Sequence, residues 1–449
     1  MNAFRAAMPG HAFAAPGRGE VAEGEGGLPE EMPALGRAVA VHTLGWMFAA
    51  NLVGVWLAIL LLWPEAGDAL APLTYGRWAP LHLNWQLYGA CALPLVGALL
   101  AWCLDPRHPQ VGRHAHGALA AWSLALALGG VAWLGGTTSG KLFLDWHGWT
   151  RPLLPAAMHV IWALLAAHTW WRWPRLAAGG RAARGAVLAG LLIVPTVFFW
   201  SAGREFYPAV NPDSGGATGA ALLGSTLGIV MIYLALPALL GLGWREGTLS
   251  PAGPGARRKW ARRAGVALAG SWLVFAIIDR GHASHHAPAQ IAALAVLGLW
   301  ILLLPAAWGE RAWPEAAGPW RRAAAGWWAL LVVSGWVSFL PGVSEALKFT
   351  HGLVAHAHLA MAGFVISVNG AVLAGLTGRA APRGVFALWQ GGCVVMVAAM
   401  LVLGVREAGQ TAEVFRGETW VQALLGLRLA AGLAMLAASA RWLAGRGRA

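Results

Sequence analysis

The chain has 449 residues, of which 58% are hydrophobic and only 11% charged. That balance excludes a soluble multidomain protein and predicts an all-α, polytopic membrane protein. The formal charge of +13 calls for no nucleic-acid partner, because its distribution along the loops accounts for it.

Residues 1–38 are rich in Gly, Pro and Glu and lack a long apolar core, which predicts a flexible tail. Residues 39–449 read as one transmembrane domain. Twelve apolar runs follow in chain order, at 39–63, 79–103, 115–135, 152–173, 185–203, 216–242, 263–279, 287–308, 323–341, 351–376, 384–405 and 418–440. Each is long enough, at about 1.5 Å per helical residue, to cross roughly 30 Å of hydrocarbon. The loops between them are short and leave no room for a soluble domain. Cys91, Cys103 and Cys393 are scattered and form no pair motif, so neither a disulfide framework nor covalent haem attachment is expected. Many of the 28 tryptophans fall near the ends of apolar runs, which suits interfacial belts.

The basic residues are distributed unequally. Segments on the side of the N-terminus hold 23 of the 32 Lys and Arg, including Arg172, Arg175, Arg181, Arg184 and the run Arg257, Arg258, Lys259, Arg262, Arg263. The other side holds eight, and Arg428 falls within the last span. By the positive-inside rule both termini are expected in the cytoplasm, in the plasma membrane of the cell.

Histidines in apolar runs are costly and are usually kept for a use. His82 opens the second span, in GRWAPLHLNWQLYG. His285 and His286 lie in GHASHHAPAQ, where the seventh span ends and the eighth begins. His356 and His358 lie in the first turns of the tenth, in FTHGLVAHAHLAMAG. Starts of even spans and ends of odd spans share one face of a membrane, so all five lie toward the non-cytoplasmic side. On a helix, residues two apart point about 200° from each other. His356 and His358 therefore cannot easily share one small ion, but each can serve a separate planar cofactor on its own flank of the helix. His82 can clamp one of these from behind, giving a six-coordinate low-spin haem. The other haem has one protein ligand and an open face, across which His285 and His286 can hold copper or iron. His351 reads as an interfacial hydrogen bonder. His159 and His168 read as polar glue or local hydrogen bonders, and His42 shows no partner pattern.

With these residues in place, the chain resembles subunit I of the haem–copper oxidase superfamily, over nearly its whole length after the tail. The twelve spans and the order of histidines both match. GRWAPLHLNWQLYG and FTHGLVAHAHLAMAG are similar to segments of the cbb-type oxidase and nitric oxide reductase branch, and the His-x-His element is the most specific part. The resemblance implies a haem–copper oxidase subunit I-like bundle. It makes His82 and His358 axial ligands of a low-spin b-type haem, and His356 the proximal ligand of a high-spin b-type haem. His285 and His286 would hold the non-haem metal, so that His285, His286 and His356 form the catalytic centre. It also implies an outer-face electron donor with a cytochrome c-type or copper domain.

The chain departs from the family in two respects. The sixth span, beginning NPDSGGATGAALLGSTLGIV, lacks the family's third histidine ligand. Asp213 can replace it and would favour a harder metal such as iron, or it can simply cap the helix that follows. Oxygen-reducing members carry an active-site tyrosine, but Tyr75, Tyr88, Tyr207 and Tyr233 all lie elsewhere and Asp279 stands where the tyrosine is expected. Coupling two NO molecules needs no such tyrosine, so NO is favoured over oxygen as the gas. Acids are nearly absent from the cytoplasmic halves of the spans. Asp213, Asp279, Asp145 and Glu345 all lie toward the outer face, which predicts proton uptake from outside with little or no pumping. Two other classes fit parts of the pattern: a non-catalytic haem protein that senses or buffers NO, and a transporter with polar histidines.

Overall fold

The computed structural model describes residues 31–206, 219–243, 254–278, 287–348, 350–408, 410 and 412–445. These residues are helical, with no strand among them. The long helices are α1 (Glu31–Leu62), α2 (Tyr75–Cys103), α3 (Val111–Leu134), α4 (Leu153–Arg172), α5 (Ala178–Ser201), α6 (Gly219–Leu239), α7 (Pro254–Ile277), α8 (Pro288–Gly309), α9 (Gly318–Val337), α10 (His351–Thr377), α11 (Arg383–Glu407) and α12 (Thr419–Ala444). In hydrocarbon a backbone can satisfy its polar groups within one segment only as a helix, which is why apolar runs of this length fold this way.

Ten of these helices are long and apolar enough to cross a membrane. The predicted spans 263–279 and 323–341 fall on α7 and α9. Both are well-formed helices, but Arg262 and Arg263 in α7 and Arg321 and Arg322 in α9 make them less apolar than the other ten. The outer surface of the bundle is itself apolar: Ile277 and Leu302 are each 75% exposed. In water such a surface would be a liability, but against lipid it is the expected finish. The chain is thus an all-helical, multi-pass membrane protein.

α10 is the most enclosed helix. Over its most apolar stretch 78% of the residues are buried, against 17–50% in the other nine. α1, α9 and α11 pack on it, and α12 packs in turn on α1 and α11. Small residues allow these contacts. Gly404 of α11 sits directly against the backbone of Gly352 in the first turn of α10, where any side chain would strike main-chain atoms.

Tryptophan is a core residue here as well as a surface one. Trp133, Trp146, Trp300, Trp320, Trp328 and Trp389 are fully buried. Several use the indole N–H to tie one helix to another's carbonyl: Trp328 to Trp300 at 2.7 Å, Trp389 to Ala362 at 3.0 Å, Trp308 to Tyr233 at 2.8 Å and Trp85 to Leu126 at 2.9 Å. A buried indole usually finds such a partner, although that of Trp146 has none. Trp328→Phe keeps the ring and removes the donor. It is expected to destabilise the fold by about 1–2 kcal/mol, read as a lower midpoint in thermal unfolding of the detergent-solubilised protein.

Candidate functional site

Of the six predicted ligand positions, His82, His356 and His358 belong to the described residues. His285, His286 and Asp213 lie outside them, as do Asp279 and Tyr207. The two helices that carry the described histidines share an irregularity. A π-helical segment runs from Trp85 to Cys91, starting three residues after His82, and another runs from Leu359 to Val365, starting directly after His358. Among the described residues these are the only π-helical segments. A π turn widens the helix and breaks its hydrogen-bond ladder, and such turns gather at functional sites. The two wide turns touch, and Asn369 of α10 donates to the carbonyls of Ala90 and Cys91, each at 3.0 Å.

His82 and His358 come together across this junction. Their ring centroids are 6.4 Å apart and their planes are inclined by only 25°. Each ring is anchored from behind. His82 Nδ1 lies 2.8 Å from the Ala50 carbonyl of α1, and His358 Nδ1 lies 2.9 Å from the Val354 carbonyl one turn earlier. A carbonyl can only accept, so Nδ1 carries the proton in both rings and Nε2 keeps its lone pair. Metal-bound imidazoles are commonly oriented in this way. Gly54 completes the seat of His82: a Cβ there would lie 2.6 Å from the ring's Cε1.

His356 faces a different neighbour. Its Nδ1 is 3.1 Å from Ser334 Oγ of α9, and that hydroxyl is 3.3 Å from the Leu331 carbonyl. A serine that donates to Leu331 can accept from His356, which again leaves Nε2 free. Gly335 borders this ring, and a Cβ there would make only an ordinary contact with Cε1 at 3.5 Å. The two histidines of the His-x-His element therefore present lone pairs to different flanks of α10.

This geometry can be compared with the group that the resemblance implies. Two imidazoles bound trans to one first-row metal through bonds of about 2 Å would have ring centres roughly 6 Å apart. The His82–His358 pair has that separation, the near-parallel planes and the free Nε2 atoms, so these residues fit a bis-imidazole metalloporphyrin. Among the described residues no group of three or more His, Cys, Asp or Glu is arranged to hold a metal ion.

The remaining histidines separate by the polarity of their hydrogen bonds. His168, fully buried in α4, accepts at Nδ1 from the Asp105 amide at 3.1 Å, and its Nε2 lies 3.2 Å from His114 Nδ1. A ring that accepts a backbone N–H at Nδ1 must carry its proton on Nε2 and has no lone pair left for a metal. His159 bonds the Pro155 carbonyl at 2.9 Å but lies exposed on the surface of α4. His42, which the sequence leaves without a partner, pairs with Ser123 at 2.8 Å and with His116 at 3.4 Å. Sequence spacing misses that pair because it joins α1 to α3. His351 bonds Glu407, which accepts from its backbone N at 2.7 Å and from Nδ1 at 2.8 Å.

Asp145 and Glu345, two of the acids singled out in the sequence, have structural partners. Asp145 is buried and its carboxylate accepts from Thr138 and Ser139. Glu345 closes on the Gly342 amide at 2.5 Å. Lys348, just before α10, has its pKa lowered by burial, with Glu345 opposing the shift. Of the tyrosines, Tyr88 donates to the Phe143 carbonyl, and Tyr233 is buried in α6 against Trp308 and Phe364.

Compared with known proteins, the chain matches no family model and no curated sequence.

Proposed function

We propose that this chain is the haem-bearing catalytic subunit of a haem–copper oxidase-type membrane reductase that takes electrons from an outer-face cytochrome c-type or copper-domain donor and reduces NO or oxygen. The reading rests on one observation above others: the rings of His82 and His358 lie 6.4 Å apart, near-parallel, with both Nδ1 atoms committed to carbonyls. Bound there, iron porphyrin would supply one-electron transfer and gas binding, which no side chain provides. The chain's own part is to hold it. His82 and His358 would clamp a low-spin b-type haem from its two faces. His356, steadied by Ser334, would hold a high-spin b-type haem from one face and leave the other open. His285 and His286, with Asp213 as a third donor, are assigned to non-haem copper or iron by the resemblance. All twelve helices would span the plasma membrane, with both termini in the cytoplasm. NO is the favoured substrate because none of the four tyrosines stands where the oxygen-reducing members place theirs.

A reduced-minus-oxidised spectrum and metal analysis of the purified complex test the reading, followed by turnover assays with each gas. Two haems, one non-haem metal and consumption of NO are expected. Absence of haem would overturn the proposal and favour a transporter. Two haems without non-haem metal or turnover would favour a protein that senses or buffers NO. Turnover of oxygen without NO consumption would overturn the choice of gas. Within this reading, Ser334→Ala removes the acceptor of His356 Nδ1. The high-spin component is expected to be retained about 10- to 100-fold less well, with the low-spin component unchanged in the same spectrum.

A further inference from the structure

Two histidines outside the candidate site meet between α1 and α3, which pack on each other. His42 Nε2 lies 3.4 Å from His116 Nδ1, and the ring centroids are 5.0 Å apart with planes inclined by 55°. A straight N–H···N bond of that length would put the ring centres about 5.7 Å apart. Two imidazoles on one tetrahedral ion, with bonds of about 2.0–2.1 Å, instead have donor nitrogens about 3.3–3.4 Å apart and ring centres about 5.2 Å apart. The His42–His116 pair matches the second arrangement. The His114–His168 pair is the contrast. There the Asp105 amide fixes the tautomer, so that His168 Nε2–H donates to His114, and the 3.2 Å bond comes with ring centroids 5.4 Å apart, as a nearly straight bond requires.

The surroundings suit these rings as ligands. Ser123 Oγ of α3 accepts from Trp46 Nε1 at 2.9 Å and lies 2.8 Å from His42 Nδ1. A hydroxyl oxygen has two lone pairs, so it can also accept from Nδ1–H, and His42 Nε2 then keeps its lone pair. Trp46 is held in turn against Trp85, with 5.2 Å between ring centroids. A metal-bound imidazole commonly has its other nitrogen tied in this way. His116 is exposed, so its Nε2 can carry the ring proton toward water, and water can fill the positions of an ion that no side chain takes. We infer that His42 and His116 form a binding site for a divalent transition-metal ion of the zinc or copper class, which clasps α1 to α3. Imidazole nitrogen suits these ions, whereas magnesium and calcium take oxygen donors. The inference is separate from the functional reading above, since neither residue has a part in the haem positions.

The test is zinc titration of the purified full chain by calorimetry, with amide hydrogen exchange followed in peptides of α1 and α3. The wild type is expected to bind one zinc ion more than His116→Ala, and zinc is expected to slow exchange around residues 42 and 116 in the wild type alone. Loss of one of the two donors should weaken binding here at least about 10-fold. Copper(II) is expected to bind this site more tightly than zinc, and magnesium not at all. Because His116 is exposed, His116→Ala should keep the unfolding midpoint of the metal-free wild type. The inference is overturned if zinc binds the wild type and His116→Ala in equal number and affinity, or if magnesium gives the same protection as zinc. His42→Gln, which keeps a hydrogen-bonding group toward Ser123, is the second variant: it too is expected to lose one zinc ion, and its keeping the full number overturns the site. Should either variant fail to fold, the zinc-dependent protection around residues 42 and 116 in the wild type decides alone, and its absence overturns the inference.

Discussion

Replacing His358 by alanine is expected to abolish the low-spin haem signal of the purified protein while leaving the high-spin signal in place. The imidazole supplies one of two donors on a shared axis, and alanine leaves His82 facing a gap. Loss of even an outer hydrogen-bond partner of a metal ligand commonly costs 10- to 100-fold in affinity, so loss of the ligand itself should cost at least about 100-fold. His356→Ala is expected to do the reverse, because its ring is tied to Ser334 of α9 and not to the His82 side. Spectra of the two variants, taken side by side, check this. A His358→Ala protein with an unchanged low-spin band would show that the facing rings at 6.4 Å are a packing arrangement and nothing more.

The second large effect concerns stability. Gly404→Val is expected to destabilise the fold by more than about 3 kcal/mol. The atoms its Cβ would meet are the N and Cα of Gly352 and the carbonyl carbon of His351. These are main chain and cannot swing aside, so α10 and α11 must part. The damage should reach the site, because Gly352 lies one turn before His356. Gly391→Ala is the control in the same helix: nothing lies within 4 Å of its Cβ position, and a change within about 1 kcal/mol is expected. Thermal unfolding in detergent measures both, and near-equal midpoints would show that α10 and α11 are not held at this contact.

Much of this architecture can be read along the chain. Long apolar runs separated by short polar loops leave little choice but helices, and the predicted spans fall on the twelve long helices. Ten of the twelve are long and apolar enough to cross a membrane, and α7 and α9 fall short. Arg262, Arg263, Arg321 and Arg322 sit within helices whose remaining turns are apolar, so span and loop grade into one another there. The opposition of His356 and His358 was legible as well, since helix geometry alone turns residues two apart to opposite flanks. The anchoring of the rings was not. Ala50, Gly54 and Ser334 carry no chemical signature, and each acts through a helix far away in the sequence.

The sequence by itself determined the class of protein and the helix that bears the paired histidines, because hydropathy and helical periodicity are properties of consecutive residues. The tertiary structure decided which histidines can be ligands. That choice depends on whether Nδ1 meets a carbonyl, as in His82 and His358, or an amide N–H, as in His168. A ring keeps a lone pair for a metal only when its other nitrogen donates. The group that sets this may lie one turn away, as for His358, or on another helix, as for His82, and only packing selects between the two.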